Sequence, residues 1–440
     1  MSLQKERKNT ISIGSILIAV IIITCVTPHE ISLLSFAYDY VTRPYGNALS
    51  ISLPMIFTFL FTLLLIPRRK KIKKSIWRAP IVQFFNWGIL SGLFLLINRA
   101  SIQWYSVGAF KYLIFAIMFI LLAKYINYDE LLFGIDKGFQ VSLIIQTVIG
   151  FLYVFFGVLI PFVSNYSTSI RNGLSRMVGS FAHPGDFSLY ISILYVYFLA
   201  KWLFAGEKKC ILYVLLCFID IYFSGARTML IVSMIVTIIV FMRRYRNRWE
   251  LKILFAAAIV LGTYWFIQGD TFQDLFIRHN FFDMLTARFV HWIIGIRMMF
   301  ANVSNFLIGV GLNNHVDYIN AHFSNYAGLV YTASAVLTND FVRSSPVHNS
   351  FLIAGSELGI VGFVLYLRIY LYMLTFAIQN LKKRPKKKRL QWHFVFIFGA
   401  SIVLLLYCMQ GWATHKDFSW TMIVILSLLV HKIPRQNEVE

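Results

Sequence analysis

The stretch Pro346-Val-His-Asn-Ser-Phe-Leu-Ile-Ala-Gly-Ser-Glu-Leu-Gly-Ile-Val-Gly362 opens on a His-Asn pair and enters an apolar segment carrying three glycines and one acid. Read as a helix it turns about 100° per residue, so His348, Gly355, Gly359 and Gly362 share a narrow arc of one face. An imidazole would then stand above a face stripped of side chains. Such a face either forms a groove for a lipid chain or packs closely on another helix, the usual meaning of small residues in membranes. Glu357 lies about 900° round from His348 and some 13 Å deeper, so it does not reach that imidazole and reads as structural.

Outward from this stretch, the whole chain is built of apolar segments. Its 440 residues are 58% hydrophobic and 14% charged, with a mean hydropathy of +0.68. Runs of about 15 to 25 apolar residues suit a hydrocarbon core of about 30 Å. The expected fold class is all-α, a polytopic integral membrane protein forming one domain over 1–440. Spans are expected near 11–27, 48–66, 79–97, 106–124, 138–161, 187–204, 210–224, 228–242, 251–268, 348–373, 392–411 and 418–432, twelve in all.

With both termini cytoplasmic, this count puts the basic blocks Arg68–Arg78, Lys208–Lys209, Arg243–Lys252 and Lys382–Arg389 inside, as the positive-inside rule requires. Topology and attraction to anionic lipid thus account for the net charge of +22, without nucleic acid as a partner. The first span follows a basic start, as a signal peptide would. Cys25-Val-Thr-Pro-His is a poor small-residue cleavage site, so the span is expected to be retained. Cys25, Cys210, Cys217 and Cys408 lie in apolar runs without metal spacing and read as core fillers.

Two external segments remain, 162–186 and a large loop over 269–347 that is too long to be a simple connector. Within the loop, Phe289–Ala301 (FVHWIIGIRMMFA) has the pattern of a helix half-sunk in the outer interface. The external arginines are the ones that need explaining: Arg171, Arg176, Arg227, Arg278, Arg288, Arg297 and Arg343. Arg227, in Phe-Ser-Gly-Ala-Arg-Thr-Met-Leu, falls in the first turn of a helix, with Ser224 as a cap and Gly225 permitting a tight reversal.

A cation at that end opposes the helix dipole, so an anion is expected beside it. The alternative is an arginine snorkelling to headgroups. Helix starts at His183-Pro-Gly-Asp, Ser-Gly-Ala-Arg and Pro346-Val-His-Asn would share the level of a lipid-linked diphosphate. Arginine forks can neutralise such a leaving group without a metal. His279, His291, His315, His322 and His415 have no metal spacing. Trp292, Tyr318, Tyr326, Tyr331 and Trp412 suit either sugar stacking or a membrane belt.

These residues carry a resemblance. His348-Asn349, nine residues, then Gly359-x-x-Gly362 resembles the His-Asn…Gly-x-x-Gly pattern of the bacterial O-antigen polymerase and O-antigen ligase superfamily. Ser224-Gly-Ala-Arg227 is similar to its small-residue-Arg segment, with Ile231 where leucine is more usual. Arg288…Trp292 followed by Leu307-Ile-Gly-Val-Gly311-Leu resembles the opening of its large outer loop, and Arg176-x-x-Gly179…His183-Pro184 an earlier signature. The matches run in family order over roughly residues 105 to 375.

The resemblance implies a membrane glycosyltransferase of the bacterial inner membrane that takes a glycan from undecaprenyl diphosphate at the periplasmic face. It implies no cofactor, metal or nucleotide sugar. It casts His348 as catalytic and Arg227, Arg288 and Arg176 as diphosphate-binding, with Asn349, Gly359 and Gly362 in support. Undecaprenyl-diphosphate-linked glycans, membrane lipid and a chain-length regulator protein are the implied partners. The expected activity is that of a polysaccharide polymerase. A ligase acting on lipid A-core shares the chemistry and differs in the acceptor. A flippase for lipid-linked sugars, the reading from another class, would carry midplane charges, broken helices or repeated halves, which the sequence does not suggest.

Overall fold

The computed structural model describes residues 12–26, 30–35, 48–65, 74–94, 97, 100–160, 170–171, 174–181, 183–245, 247–250, 253, 281–327, 347–382, 388–411 and 417–433. Its helices, in chain order, begin with α1 (Ile13–Thr24), α2 (Leu53–Leu65), α3 (Pro80–Leu90), α4 (Ile102–Tyr125) and α5 (Tyr128–Phe156). Then follow α6 (Pro184–Ala200), α7 (Cys210–Ser224), α8 (Arg227–Arg244), α9 (Phe281–Met299), α10 (Val303–Ile308) and α11 (His315–Ala321). The last are α12 (Ser350–Lys382), α13 (Lys388–Cys408) and α14 (Asp417–Lys432).

Among the described residues the fold is all-α apart from two small hairpins. Glu30–Ser35 pairs antiparallel with Ala48–Ser52, and Ile170–Arg171 with Leu174–Ser175. Neither hairpin was expected, because each is shorter than the apolar runs that signal a span. Among the described residues, five helical stretches are long and apolar enough to cross a membrane: Ile102–Tyr125, Tyr128–Phe156, Pro184–Ala205, Ser350–Lys382 and Gln391–Cys408. Ile13–Thr24, Leu53–Leu65, Pro80–Phe94 and Cys210–Ser224 are apolar but shorter. The count of twelve therefore remains a reading of the sequence, and the expected span 251–268 lies outside the described residues apart from position 253.

Local chemistry sets the helix ends. Asn127 and Glu130 form a reciprocal capping box at the start of α5, and Gly157 closes that helix at φ 66°. Close approach sets the packing. A Cβ at Gly134 or Gly138 of α5 would fall 2.5 Å from Ile18 Cβ or 2.9 Å from Ile22 Cβ of α1. This small-x-x-x-small face lets the two backbones meet.

At the other side of the bundle, Trp420 of α14 lies against Phe84 and Phe85 of α3 and Tyr112 of α4, with ring centroids 4.9 to 5.9 Å apart. Such pairs add about 0.5–1.5 kcal/mol each beyond area burial. Lys111 of α4 and Asp417 of α14 form a buried ion pair at 3.2 Å. The pairing is what makes two charges tolerable at that depth.

α12 departs from expectation. Gly359 interrupts it at φ 69° and ψ −170°, so the helix is two segments and His348 precedes the first of them. The single continuous arc through His348, Gly355, Gly359 and Gly362 does not exist. The freed carbonyls are taken by another segment: Val310 N–H donates to Ser356 O at 2.8 Å and Gly311 N–H to Glu357 O at 3.0 Å. Trp87 Nε1 donates to Leu358 O at 3.0 Å.

Both sides of that junction are glycine for steric reasons. A Cβ on Gly359 would lie 2.3 Å from Leu307 O, and one on Gly309 (φ 76°) would lie 2.2 Å from the Glu357 carbonyl carbon. At Gly359 the side-chain-free face is a backbone contact and not a lipid groove. Glu357, fully buried beside this junction, is part of the packed break.

Candidate active site

The segment 269–347, expected as the large outer loop, supplies α9, α10 and α11, with 269–280 and 328–346 outside the described residues. α9 includes most of the stretch expected to be half-sunk. It carries Arg288, His291 and Trp292 on one side, and that side faces the start of α12. Trp292 Nε1 donates to the His348 carbonyl at 3.1 Å, so this indole anchors the histidine's backbone. The His291 and His348 rings meet edge to face at 5.2 Å.

Asn349 caps α12 by accepting from the N–H groups of Phe351 (3.0 Å) and Leu352 (3.1 Å). Its amide also donates to Met409 O at 3.3 Å, and Ser350 Oγ donates to Gly411 O at 2.8 Å. His348 is thus held against the C-terminal end of α13 and the turn after it.

The same end of α13 collects the other candidate segments. Gln410 Oε1 accepts from Arg288 Nη1 at 3.1 Å and from Thr228 Oγ1, next to Arg227, at 2.6 Å. Tyr407 donates to Asp186 in the first turn of α6 at 3.3 Å. His183 caps that helix, its Nδ1 accepting from Gly185 N–H at 3.0 Å. The expected convergence of three helix starts is present, and residues 407–411 are where they meet.

Arg227 begins α8, directly after a reversal at Gly225 (φ 61°). Ser224 does not cap α8 as expected. It ends α7, its hydroxyl donating to Ile221 O and accepting from Ala226 N–H, and Ala226 takes the cap position without a side-chain bond. Arg176 stands behind the turn, donating from Nε to Ser224 O at 2.8 Å.

The electrostatics follow from this crowding. Burial first, then the charges of Arg288 and His183, push the His348 imidazole down to about 4. Burial, with His348 and His315 adding to it, pushes His291 down to about 3. His315, also buried and down to about 3, spans the junction: Nδ1 meets Ser356 Oγ at 3.1 Å and Nε2 accepts from Val347 N–H at 3.4 Å. Burial also draws Arg288 below its ordinary value, yet a guanidinium stays charged. The site therefore holds a neutral imidazole beside fixed positive charge, a combination that accepts a proton and receives an anion.

Residues 212–367 match the family model described as O-antigen ligase. The match, over about a third of the chain, supports the resemblance to the O-antigen polymerase/ligase superfamily. No curated protein matches the chain. The matched segment contains Arg227, Arg288, His348, Asn349, Gly359 and Gly362. Arg176, Asp186, Tyr407 and Gln410 complete the same cluster from outside it.

Sequence reasoning missed Gln410, Thr228, Tyr407 and Asp186 as members of the site. The available signal was a glutamine ending an apolar run at the level of the external arginines. Among the sequence candidates, Arg278, His279, Tyr331, Arg343, Trp412 and His415 lie outside the described residues. Among the described residues, no three His, Cys, Asp or Glu side chains are arranged to hold a metal ion.

Proposed function

We propose that this protein is a surface-polysaccharide polymerase of the O-antigen type. It transfers a glycan from undecaprenyl diphosphate to a second lipid-linked repeat unit at the outer face of the bacterial inner membrane. The observation that carries the reading is the convergence of His348, Arg288 and the Arg227 turn on the end of α13.

In the reaction, the acceptor hydroxyl attacks the anomeric carbon while the bond from that carbon to the diphosphate oxygen breaks. His348 takes the hydroxyl proton as general base, a role worth about 10²–10⁴-fold. Arg288 and Arg227 receive the charge that develops on the departing undecaprenyl diphosphate. Arg176 braces the turn that presents Arg227. Displacement in one step inverts the anomeric centre.

The low proton affinity of His348 fits this sequence of events. Arg288 is one of the charges that depress it. A diphosphate bound to Arg288 offsets that charge, so the imidazole becomes a stronger base when donor is in place. The base is thereby coupled to donor binding.

A second reading, transfer to lipid A-core, is favoured by the description of the matching family as O-antigen ligase. Purified full-length protein supplied with native undecaprenyl-diphosphate glycan separates the possibilities. Longer lipid-linked chains support polymerase, and product on lipid A-core alone identifies a ligase. Movement of intact donor across a vesicle membrane without a new glycosidic bond would replace both with transport.

A further inference from the structure

At the opposite end of the bundle from His348 lies a cavity of 1050 Å³, and its lining has no part in the chemistry above. The separation follows from α4. Ser101, just before α4, donates its N–H to Asn314 Oδ1 at 2.8 Å, in the outer-loop segment that His315 ties to Val347. Lys124, which lines the cavity, lies at the other end of α4, about 33 Å away at 1.5 Å per residue. This is the end that carries the basic blocks and that the positive-inside rule assigns to the cytoplasm.

The lining is divided by chemistry. Arg78, Lys124, Arg368, His431 and Lys432 contribute basic groups, and no carboxylate lines the cavity among the described residues. The remaining wall is largely apolar, with Ile369, Tyr372 and Phe376 along α12. Arg368 is set deeper than Arg78: it donates to Gln83 Oε1 at 2.8 Å, about one turn inside the start of α3. Exposed and lining the cavity, that guanidinium keeps further donors for an anion while Gln83 holds it in place.

We propose that this cavity is a binding site for the phosphate headgroup of an anionic membrane phospholipid. The headgroup meets the basic rim and Arg368, and an acyl chain runs along the Ile369–Phe376 wall. A soluble phosphate ester shares the headgroup chemistry but leaves that wall unused, which is why the lipid is the assigned occupant. The site is independent of the transfer reaction and stands or falls without it.

The test uses the full-length protein in mixed micelles containing phosphatidylglycerol and phosphatidylethanolamine, with retained lipid read by native mass spectrometry. The unmodified protein is expected to retain phosphatidylglycerol selectively. Each of Arg78→Gln, Lys124→Gln and Arg368→Gln is expected to weaken retention about fivefold, the equivalent of about 1 kcal/mol per basic group. Lys208→Gln, Lys209→Gln and Arg248→Gln, made one at a time, each remove the same charge elsewhere and should leave retention unchanged. Equal loss in both sets would mean diffuse surface attraction and would overturn the site.

Displacement of the lipid by equimolar glycerol 3-phosphate would also overturn it, assigning the cavity to a soluble anion. Should the cavity variants not fold, a photoactivatable phosphatidylglycerol on the unmodified chain decides the matter. Labelling of the peptide bearing Tyr372 supports the site, and labelling spread evenly over the spans removes it.

Discussion

Arg288 reaches across 122 positions of sequence to donate to Oε1 of Gln410 at 3.1 Å. The same oxygen accepts the Thr228 hydroxyl at 2.6 Å, so one amide fixes α9 and the start of α8 relative to each other. In the proposed diphosphate clamp the two arms need a set spacing, because charge stabilisation in a transition state depends on donors that are already in place. On that reading Gln410 sets the spacing from outside the matched segment.

Gln410→Leu should therefore loosen both arms without removing either arginine. Loss of a hydrogen bond to a charged group costs about 1.5–3 kcal/mol, or roughly 10- to 150-fold. Steady-state kinetics with varied donor should show the loss mainly in kcat/KM, with the protein inserted at normal abundance. Unchanged kinetics would remove Gln410 from the site.

The three buried imidazoles predict how stability responds to acid. His291 and His315 sit at about 3 and His348 at about 4, all below the 6.5 of a free imidazole. Between those values the unfolded chain binds protons that the folded chain refuses. Their contribution is complete above about pH 6.5 and is lost progressively as the pH falls through the folded values. Thermal unfolding midpoints should fall steadily from pH 6.5 to 4. His291→Gln should remove about 1.4 kcal/mol per pH unit from that slope.

The catalytic pH dependence should divide in two. The acid limb of kcat/KM reports the free enzyme and is expected near 4, from His348. The limb of kcat reports the donor complex and is expected higher, because bound diphosphate offsets Arg288. Rate profiles on both parameters check this, and coincident limbs would contradict coupling between donor and base.

Gly359→Ala and Gly309→Ala each place a Cβ into opposing backbone. At Gly359 the φ/ψ pair is also one that essentially only glycine adopts, a strain of about 1–3 kcal/mol before any clash. Each substitution should sharply lower the unfolding temperature. The pair should cost less than the sum, because both disrupt one junction. Full additivity would mean that the two glycines act separately.

How much of this could be read from sequence follows from how local each feature is. The helix start at Pro184, the reversal at Gly225 and the approach of His348 to a helix N-terminus depend on neighbours within a few residues, and they were readable. The break at Gly359 was not, because helical periodicity extends through any glycine and the partner at Gly309–Gly311 lies about fifty residues away. Gln410 ends an apolar run, but its partners were not readable for the same reason: its role comes from two helices that approach it in space. The hydrogen bond from Trp292 to the backbone of His348 was likewise not readable, because the two lie 56 positions apart.

Single-turnover transfer by His348→Ala, set beside the unmodified enzyme with native donor and acceptor, tests the central claim most directly. The account predicts a rate lower by at least about 100-fold, with donor binding retained through Arg288 and Arg227. Transfer at the unmodified rate would show that this imidazole is not the base.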